Sequence, residues 1–170
     1  MRLDRTVRFE VEAPLDRSDA VAFVRDVAAS LRDDELLSDV ANGPGSTVEA
    51  RLPVSAGWLG RRSLRFRSRL EPTPRGARLV GCELDDRPGW ARVDGEAEVT
   101  PLATGGSRLA YRLAVEVHLI VPEPERWGGR ALTRMIERTA DAMLQRVADR
   151  FPTAVRCAAE RYAATVAPPG

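Results

Sequence analysis

Hydrophobic and polar residues alternate one by one near the start of the chain. Within residues 6–12, Val7, Phe9 and Val11 occupy every second position, and mostly charged residues lie between them. A period of two places successive side chains on opposite faces of a strand. The pattern therefore predicts a first β-strand with one apolar face, which ends at Pro14.

The period changes to that of a helix over residues 16–31. Asp16 or Ser18 is suited to cap this helix, and apolar residues then recur every three or four positions up to Leu31. A charged run over residues 32–35 interrupts the apolar face. The spacing of the next apolar residues predicts a second, short helix that contains Leu36, Leu37 and Val40.

Alternation returns after the break at residues 42–45 and continues to residue 119, in five segments separated by turns. Hairpin-sized connections predict antiparallel pairing, and one apolar face per strand predicts a single core. The expected inward-facing residues are Val48, Ala50, Leu52 and Val54; Leu64, Phe66, Ser68 and Leu70; Val80, Cys82 and Leu84; Ala91, Val93, Gly95, Ala97 and Val99; and Leu109, Tyr111, Leu113, Val115, Val117 and Leu119.

A long helical pattern completes the chain. Its apolar stripe runs from Leu132 to Phe151 and is suited to cover the apolar face of the sheet. Pro152 has no backbone N–H and is expected to kink or break the helix, which then resumes toward Tyr162. The pattern predicts one α+β domain over residues 1–163, followed by a disordered tail over residues 164–170.

The final helix also carries a family resemblance. The stretch Trp127-Gly128-Gly129-Arg130-Ala131-Leu132, followed by Ala142-Met143-Leu144 and Phe151, is similar to the closing helix of two groups: proteins like the carbon monoxide dehydrogenase G-subunit, and polyketide cyclase/dehydrase-like proteins. Together with the element order, it resembles the START-like superfamily (Bet v 1-like, SRPBCC). The resemblance implies a helix-grip fold, in which a curved antiparallel sheet wraps around a long C-terminal helix. It also implies a cavity that often holds lipids, polyketides or other apolar molecules, without shared catalytic residues.

Small residues on the inward face, such as Ala50 and Gly95, leave volume that either a ligand or bulky helix side chains must fill. An apolar pocket with a few polar groups is the usual form of a ligand site. Trp58 lies in a glycine-containing loop and is a candidate lid, or else it packs over the end of the core. The ligand hypothesis assigns the pocket to Phe66, Ser68, Cys82, Tyr111, Leu113, Val115, Leu132, Met135, Ile136 and Met143.

Few residues offer catalytic chemistry. His118 is the single histidine, and its parity places it on the outward face, where it cannot act as a general base in the pocket. Tyr111 is suited either to polarise a carbonyl group or to form one hydrogen bond within a core. We therefore favour noncatalytic binding or carriage of an apolar small molecule, and a cyclase- or dehydrase-type enzyme is an alternative.

Charge adds one further alternative. All 26 basic residues are arginine, yet the net charge is only +1. Arg61, Arg65, Arg67 and Arg69 share one parity and predict an outward basic stripe. The stripe is either a surface for a protein partner or a solvated face balanced by carboxylates on neighbouring strands. Nucleic acid is not favoured, because aromatic residues are not interleaved with these arginines.

Cysteine usage and hydropathy bear on cofactors and location. Cys82 and Cys157 form no CxxC pair, and no histidine cluster accompanies them, so we expect no metal and no other cofactor. Free thiols are typical of a reducing compartment. No signal peptide or membrane span is apparent in the sequence, which favours a cytoplasmic protein.

Overall fold

The computed structural model describes residues 2–31, 37–56, 60–84, 89–119 and 129–166. These ranges contain seven strands: β1 (Arg2–Ala13), β2 (Ser38–Gly43), β3 (Thr47–Ala56), β4 (Gly60–Thr73), β5 (Gly76–Cys82), β6 (Gly89–Pro101) and β7 (Ser107–Leu119). They also contain three α-helices: α1 (Arg17–Arg25), α2 (Val27–Leu31) and α3 (Gly129–Val166). None of the helices in the described ranges has a segment long and apolar enough to cross a membrane.

The strands form one curved, open sheet in the order β1-β7-β6-β5-β4-β3-β2, and neighbouring strands are antiparallel. The first strand pairs with the last, which sets Arg5 opposite Val115 and Phe9 opposite Tyr111. The predicted antiparallel α+β fold with a long final helix is confirmed. The core lies between one face of this sheet and the three helices.

The segment after β1 contains two helices where one was predicted. The Asp16 carboxylate caps α1 by accepting a hydrogen bond from the backbone N–H of Asp19 at 2.8 Å. Asp26 ends α1, and its carboxylate accepts a hydrogen bond from the N–H of Ala29 in the first turn of α2. A second carboxylate cap thus divides the segment into two helices, although its apolar spacing is continuous.

The short helix predicted at Leu36, Leu37 and Val40 is wrong. Val40 lies in strand β2, whose backbone pairs with β3, and Leu37 lies in an isolated bridge just before it; Leu36 is outside the described residues. Three apolar residues cannot offset the cost of nucleating an isolated helical turn, whereas pairing with β3 satisfies the backbone. The predicted break that follows is a 3-10 turn in which Gly45 has a φ of 69°.

The inward orientation predicted for Val80 and Cys82 in β5 is also wrong. Ala77 and Leu79 are the buried hydrophobic side chains of this strand. Cys82 lies opposite Arg67, whose side chain binds a carboxylate on the outer face of the sheet. The alternation in β5 is weak in the sequence, and the register set by the β4–β5 hairpin decides which residues face the core.

Helix α3 continues through Pro152 without ending there, so of the predicted kink or break the break is wrong, and the kink stays a prediction. A proline inside a helix costs about 3 kcal/mol, but the buried residues Phe151 and Val155 hold the chain against the core on both sides of it. The helix extends to Val166, so residues 164–166 are helical and not part of a disordered tail. Residues 167–170 lie outside the described ranges.

Candidate functional site

An apolar cavity lies between α3 and the middle of the sheet. Among the strands, α3 approaches β1 and β3 closely, while much of the cavity wall comes from the strands between these two. The wall includes Phe66 of β4, Leu79 of β5, Val93 of β6, Leu113 and Val115 of β7, and Ala148 and Phe151 of α3. The helix therefore rests near both sides of the curved sheet and leaves space above its centre.

This space is narrow. Its volume is about 30 Å³, which is enough for about two or three water molecules, since one requires roughly 10–15 Å³ on the same measure. Sites for drug-sized ligands measure roughly 300–1,000 Å³. The described walls are almost entirely apolar, and apolar cavities of this kind stay dry. A ligand larger than a few atoms requires the cavity to widen.

Arg5 is the single charged side chain among the described residues that line this cavity. It lies on the inward face of β1, between Leu3 and Val7, and its side chain is 30% exposed. The guanidinium Nη2 donates a hydrogen bond to Oδ1 of Asp141 on α3 at 2.5 Å. The Nε–H of Arg5 is buried and has no hydrogen-bond partner in the part of the chain that the structure describes. One donor of the guanidinium is therefore unused inside the protein.

Tyr111 provides a second polar group in an adjoining void of about 20 Å³. Val27, Leu79 and Leu113 border both spaces. The Tyr111 hydroxyl is buried and forms no hydrogen bond of normal geometry with the residues of the described ranges. Burial raises the pKa of Tyr111, and the side chain of Ser30 only partly offsets this effect. The phenol therefore stays protonated at neutral pH.

The structure places the predicted ligand-binding residues differently from one another. Phe66, Leu113 and Val115 line the cavity between α3 and the sheet, and Tyr111 lines the adjoining void. The buried Ser68 hydroxyl donates to the carbonyl oxygen of Val93 at 2.7 Å, so its donor is already used. The inward role expected of Cys82 is lost with its orientation. Trp58 lies outside the described residues, as do the side chains of Leu132, Met135, Ile136 and Met143, although these four belong to α3.

Sequence reasoning missed Arg5, although a signal for it was present. The alternation that includes Val7 extends backwards through Arg5 to Leu3, and the structure starts β1 at Arg2. A strand predicted to begin one residue earlier would have placed Arg5 on the inward face. A charged residue at an apolar position of a strand is the signal that identifies such a site.

The outer face of the sheet differs from the cavity. Arg65 and Arg67 lie 3.6 and 2.7 Å from the carboxylate of Glu49, and Arg69 lies 2.7 Å from that of Glu71. The side chain of Arg61, the fourth arginine of the predicted stripe, lies outside the described residues. Alternating charges along β3 and β4 reduce the positive potential that an anionic partner would need.

His118 also lies away from the cavity. Its ring stacks on Trp90 with the centroids 4.0 Å apart, and its Nε2 contacts the carboxylate of Glu116. The groups are neighbours on the outward-facing side of β6 and β7. This position offers no route to a proton in the cavity.

Comparison with known proteins assigns the family. The family model described as "Protein of unknown function (DUF3809)" matches residues 8–149, which is most of the chain. The chain belongs to this family. Among curated proteins, no match to this DUF3809 chain was found.

Solved structures agree with the fold of the DUF3809 chain. The Zhui aromatase/cyclase from Streptomyces sp. R1128 is 18% identical, with a TM-score of 0.54 and 92% of each chain covered. The di-domain aromatase/cyclase StfQ of the steffimycin biosynthetic pathway is 17% identical, with a TM-score of 0.51; 96% of this chain matches 52% of that one. A START superfamily protein from Mycobacterium smegmatis is 20% identical, with a TM-score of 0.46 and 88% and 96% of the two chains covered. The two aromatase/cyclase neighbours, both with TM-scores above 0.5, confirm the predicted helix-grip fold.

Proposed function

We propose that this protein binds an apolar small molecule, such as a lipid or a polyketide-like compound, between its sheet and α3. The observation that carries the proposal is the wall of the cavity, where Arg5 is the one charged side chain among apolar residues of the described strands and helices. A wall of this composition favours an apolar ligand, because burial of apolar surface contributes about 25 cal/mol per Å². The aromatase/cyclase neighbours share the fold and support the choice of ligand class.

The small cavity requires that binding open the structure. Helix α3 packs against the sheet at β1 and β3, and side chains rather than backbone occupy the space between these two strands. A shift of α3 therefore leaves the pairing of the sheet intact. The Arg5–Asp141 contact joins α3 to strand β1 and must adjust when the helix moves. Widening of a dry apolar cavity by its ligand is consistent with a carrier whose empty form is closed.

Binding without catalysis accounts for the polar groups better than an enzymatic reaction does. A general acid or base needs a group that exchanges protons near the working pH. An arginine guanidinium stays charged in proteins, and burial raises the pKa of the Tyr111 phenol further above neutral pH.

A cyclase-type enzyme is the second candidate, favoured by the buried and unpaired hydroxyl of Tyr111. In that case Tyr111 would donate a hydrogen bond to a carbonyl oxygen of the substrate without losing its proton. The replacement of Tyr111 by Phe separates the two candidates, because it abolishes turnover of a polyketide substrate but leaves apolar binding in place.

The test of binding is mass spectrometry of the protein purified from its own host, under native and then denaturing conditions. We expect a stoichiometric apolar compound that is released only on denaturation. The variant Val115→Phe narrows the cavity and should reduce the bound fraction, whereas Ala114→Phe changes the exposed neighbour on the opposite face of β7 and should not. Equal loading of both variants would contradict a site in this cavity.

The cytoplasm is the compartment we propose for this protein. Cys82 and Cys157 are both free in the structure, and free thiols persist in a reducing environment. Fractionation of host cells tests this, and recovery of the protein in the secreted fraction would contradict it.

A further inference from the structure

Arg5 occupies a position that needs no charge for folding. The neighbouring inward positions of β1 hold Leu3 and Val7, and the residue opposite Arg5 on β7 is the buried Val115. Placing a guanidinium against apolar residues removes part of its hydration, and that cost is recovered only when its donors are satisfied. In Arg5 they are not all satisfied, because the buried Nε–H has no partner among the described residues.

The partner that Arg5 does have is easy to displace. Asp141 lies on α3 with its side chain 61% exposed, so water can hydrate its carboxylate when the contact opens. Solvent-exposed ion pairs of this kind contribute little to stability. An anion that entered the cavity mouth would therefore compete with Asp141 on favourable terms, and it would also accept the hydrogen bond that the Nε–H now lacks.

The apolar lining of the cavity determines what kind of molecule would carry such an anion. Arg5 lines the same apolar space as Val7, Phe66, Leu113 and Phe151. A head group bound at Arg5 places the rest of its molecule among these side chains. We propose that the natural ligand is an amphipathic acid, whose carboxylate or phosphate binds Arg5 and whose apolar body occupies the cavity. This inference rests on the proposed function and specifies the class of its ligand.

Arginine is suited to this role. Its planar guanidinium presents paired N–H donors that match both oxygens of a carboxylate or a phosphate, and it remains charged at any physiological pH. Carboxylate and phosphate share this chemistry, so probes that carry one or the other are needed to distinguish them. The oxygen of a neutral ligand can accept the hydrogen bond of the Nε–H, but it carries no negative charge to pair with the guanidinium, so it gains less.

The experiment compares probes that share one chain and differ in the head group: decanoate, decyl phosphate and 1-decanol, each titrated calorimetrically at about pH 7.5, where the guanidinium is charged. We expect the wild-type protein to bind at least one of the two acids roughly tenfold to a hundredfold more tightly than the alcohol, as charge-assisted hydrogen bonds allow. The tighter acid identifies the head group. In Arg5→Met the preference should disappear while the affinity for 1-decanol is kept.

Two further variants distinguish recognition of the ligand by Arg5 from a purely structural contact between β1 and α3. Asp141→Asn removes the competing carboxylate at an exposed site and should strengthen acid binding severalfold without changing alcohol binding. Arg8→Met removes an arginine from the outward face of the same strand and should change neither affinity. If Arg5 only ties β1 to α3, Arg5→Met and Asp141→Asn will change the affinities for acid and alcohol by the same factor.

The outcomes distinguish this inference from the proposed function. Equal wild-type affinities for both acids and the alcohol would overturn the role of Arg5 and leave apolar binding standing. Failure of all three probes to bind would overturn both. Should Arg5→Met fold poorly, the acid-to-alcohol ratio of Asp141→Asn decides the question, since that site is on the surface.

Discussion

On the outer face of β3 and β4, arginine side chains lie beside carboxylates, as Arg67 does beside Glu49 at 2.7 Å. On the inner face, the Nε–H of Arg5 and the hydroxyl of Tyr111 are buried and form no hydrogen bond of normal geometry with any described residue. Water can solvate a charge on the outer face even where no partner is present. A polar group on the inner face has no such alternative, and each unpaired one costs stability. Unsatisfied groups inside an apolar wall are therefore better markers of a binding site than a row of surface charges.

The largest expected difference between the faces is in stability. Leu109 of β7 is fully buried on the inner face, whereas Arg112, on the same strand, is exposed on the outer face. We expect Leu109→Ala to lower the free energy of unfolding by about 2–5 kcal/mol and Arg112→Ala to change it by less than about 0.5 kcal/mol. Urea denaturation measures both, and similar losses would contradict the one-sided core.

The unpaired hydroxyl of Tyr111 predicts a dependence of stability on alkaline pH. Its pKa is raised above the ordinary 10.0 by burial, so above pH 10 the unfolded chain loses a proton that the native protein keeps. Unfolding is then favoured as pH rises, by about 1 kcal/mol per pH unit. We expect this contribution to be present in the wild type and absent from Tyr111→Phe in denaturation curves between about pH 8 and 12.

The control for this measurement is Tyr162→Phe, which removes a half-exposed tyrosine from α3. It should keep the alkaline loss of the wild type. Identical pH profiles for the wild type and Tyr111→Phe would show that the phenol of Tyr111 is not buried as described. At neutral pH, Tyr111→Phe should be at least as stable as the wild type, because no hydrogen bond is lost.

Filling the cavity should have a smaller effect. Val115 borders the cavity. Val117, two residues further along β7, is also buried but is not among the described residues that line the cavity. We expect Val115→Ile to stabilise the protein by about 0.8 kcal/mol, the contribution of one buried methylene, and Val117→Ile to destabilise it through overpacking. Thermal unfolding in parallel measures both. Equal destabilisation by the two variants would mean that the space beside Val115 is already filled.

The strands of the inner face were largely predictable, because a period of two repeats over many residues between β3 and β7. The errors arose where few residues carry the pattern. Strand β2 is a short edge strand, and the parity of Cys82 in β5 depends on pairing with Arg67 across a hairpin. Periodicity describes each segment alone, whereas register is a property of two segments together.

The site was less predictable than the fold. Alternation indicated that Phe66 and Leu113 face inward, but the volume left between them and α3 depends on how closely the helix approaches the sheet. Arg5 was missed because the predicted strand starts one residue after it. The pairing of its guanidinium with Asp141 joins residues 136 positions apart, and no local pattern reports such a contact.

The smallest effect is expected on the outer face. It tests the alternative in which the arginine stripe of β4 is a surface for a protein partner. Glu49 accepts from Arg67 and lies near Arg65, so Glu49→Gln should cost about 0–1 kcal/mol of stability, and less at high salt. The same change removes the negative charge that balances the two arginines. We therefore expect the variant, but not the wild type, to be retained on a heparin column at low ionic strength. Strong retention of the wild type would mean that the outer face already attracts anions. That result would contradict the view that carboxylates balance the arginines on this face.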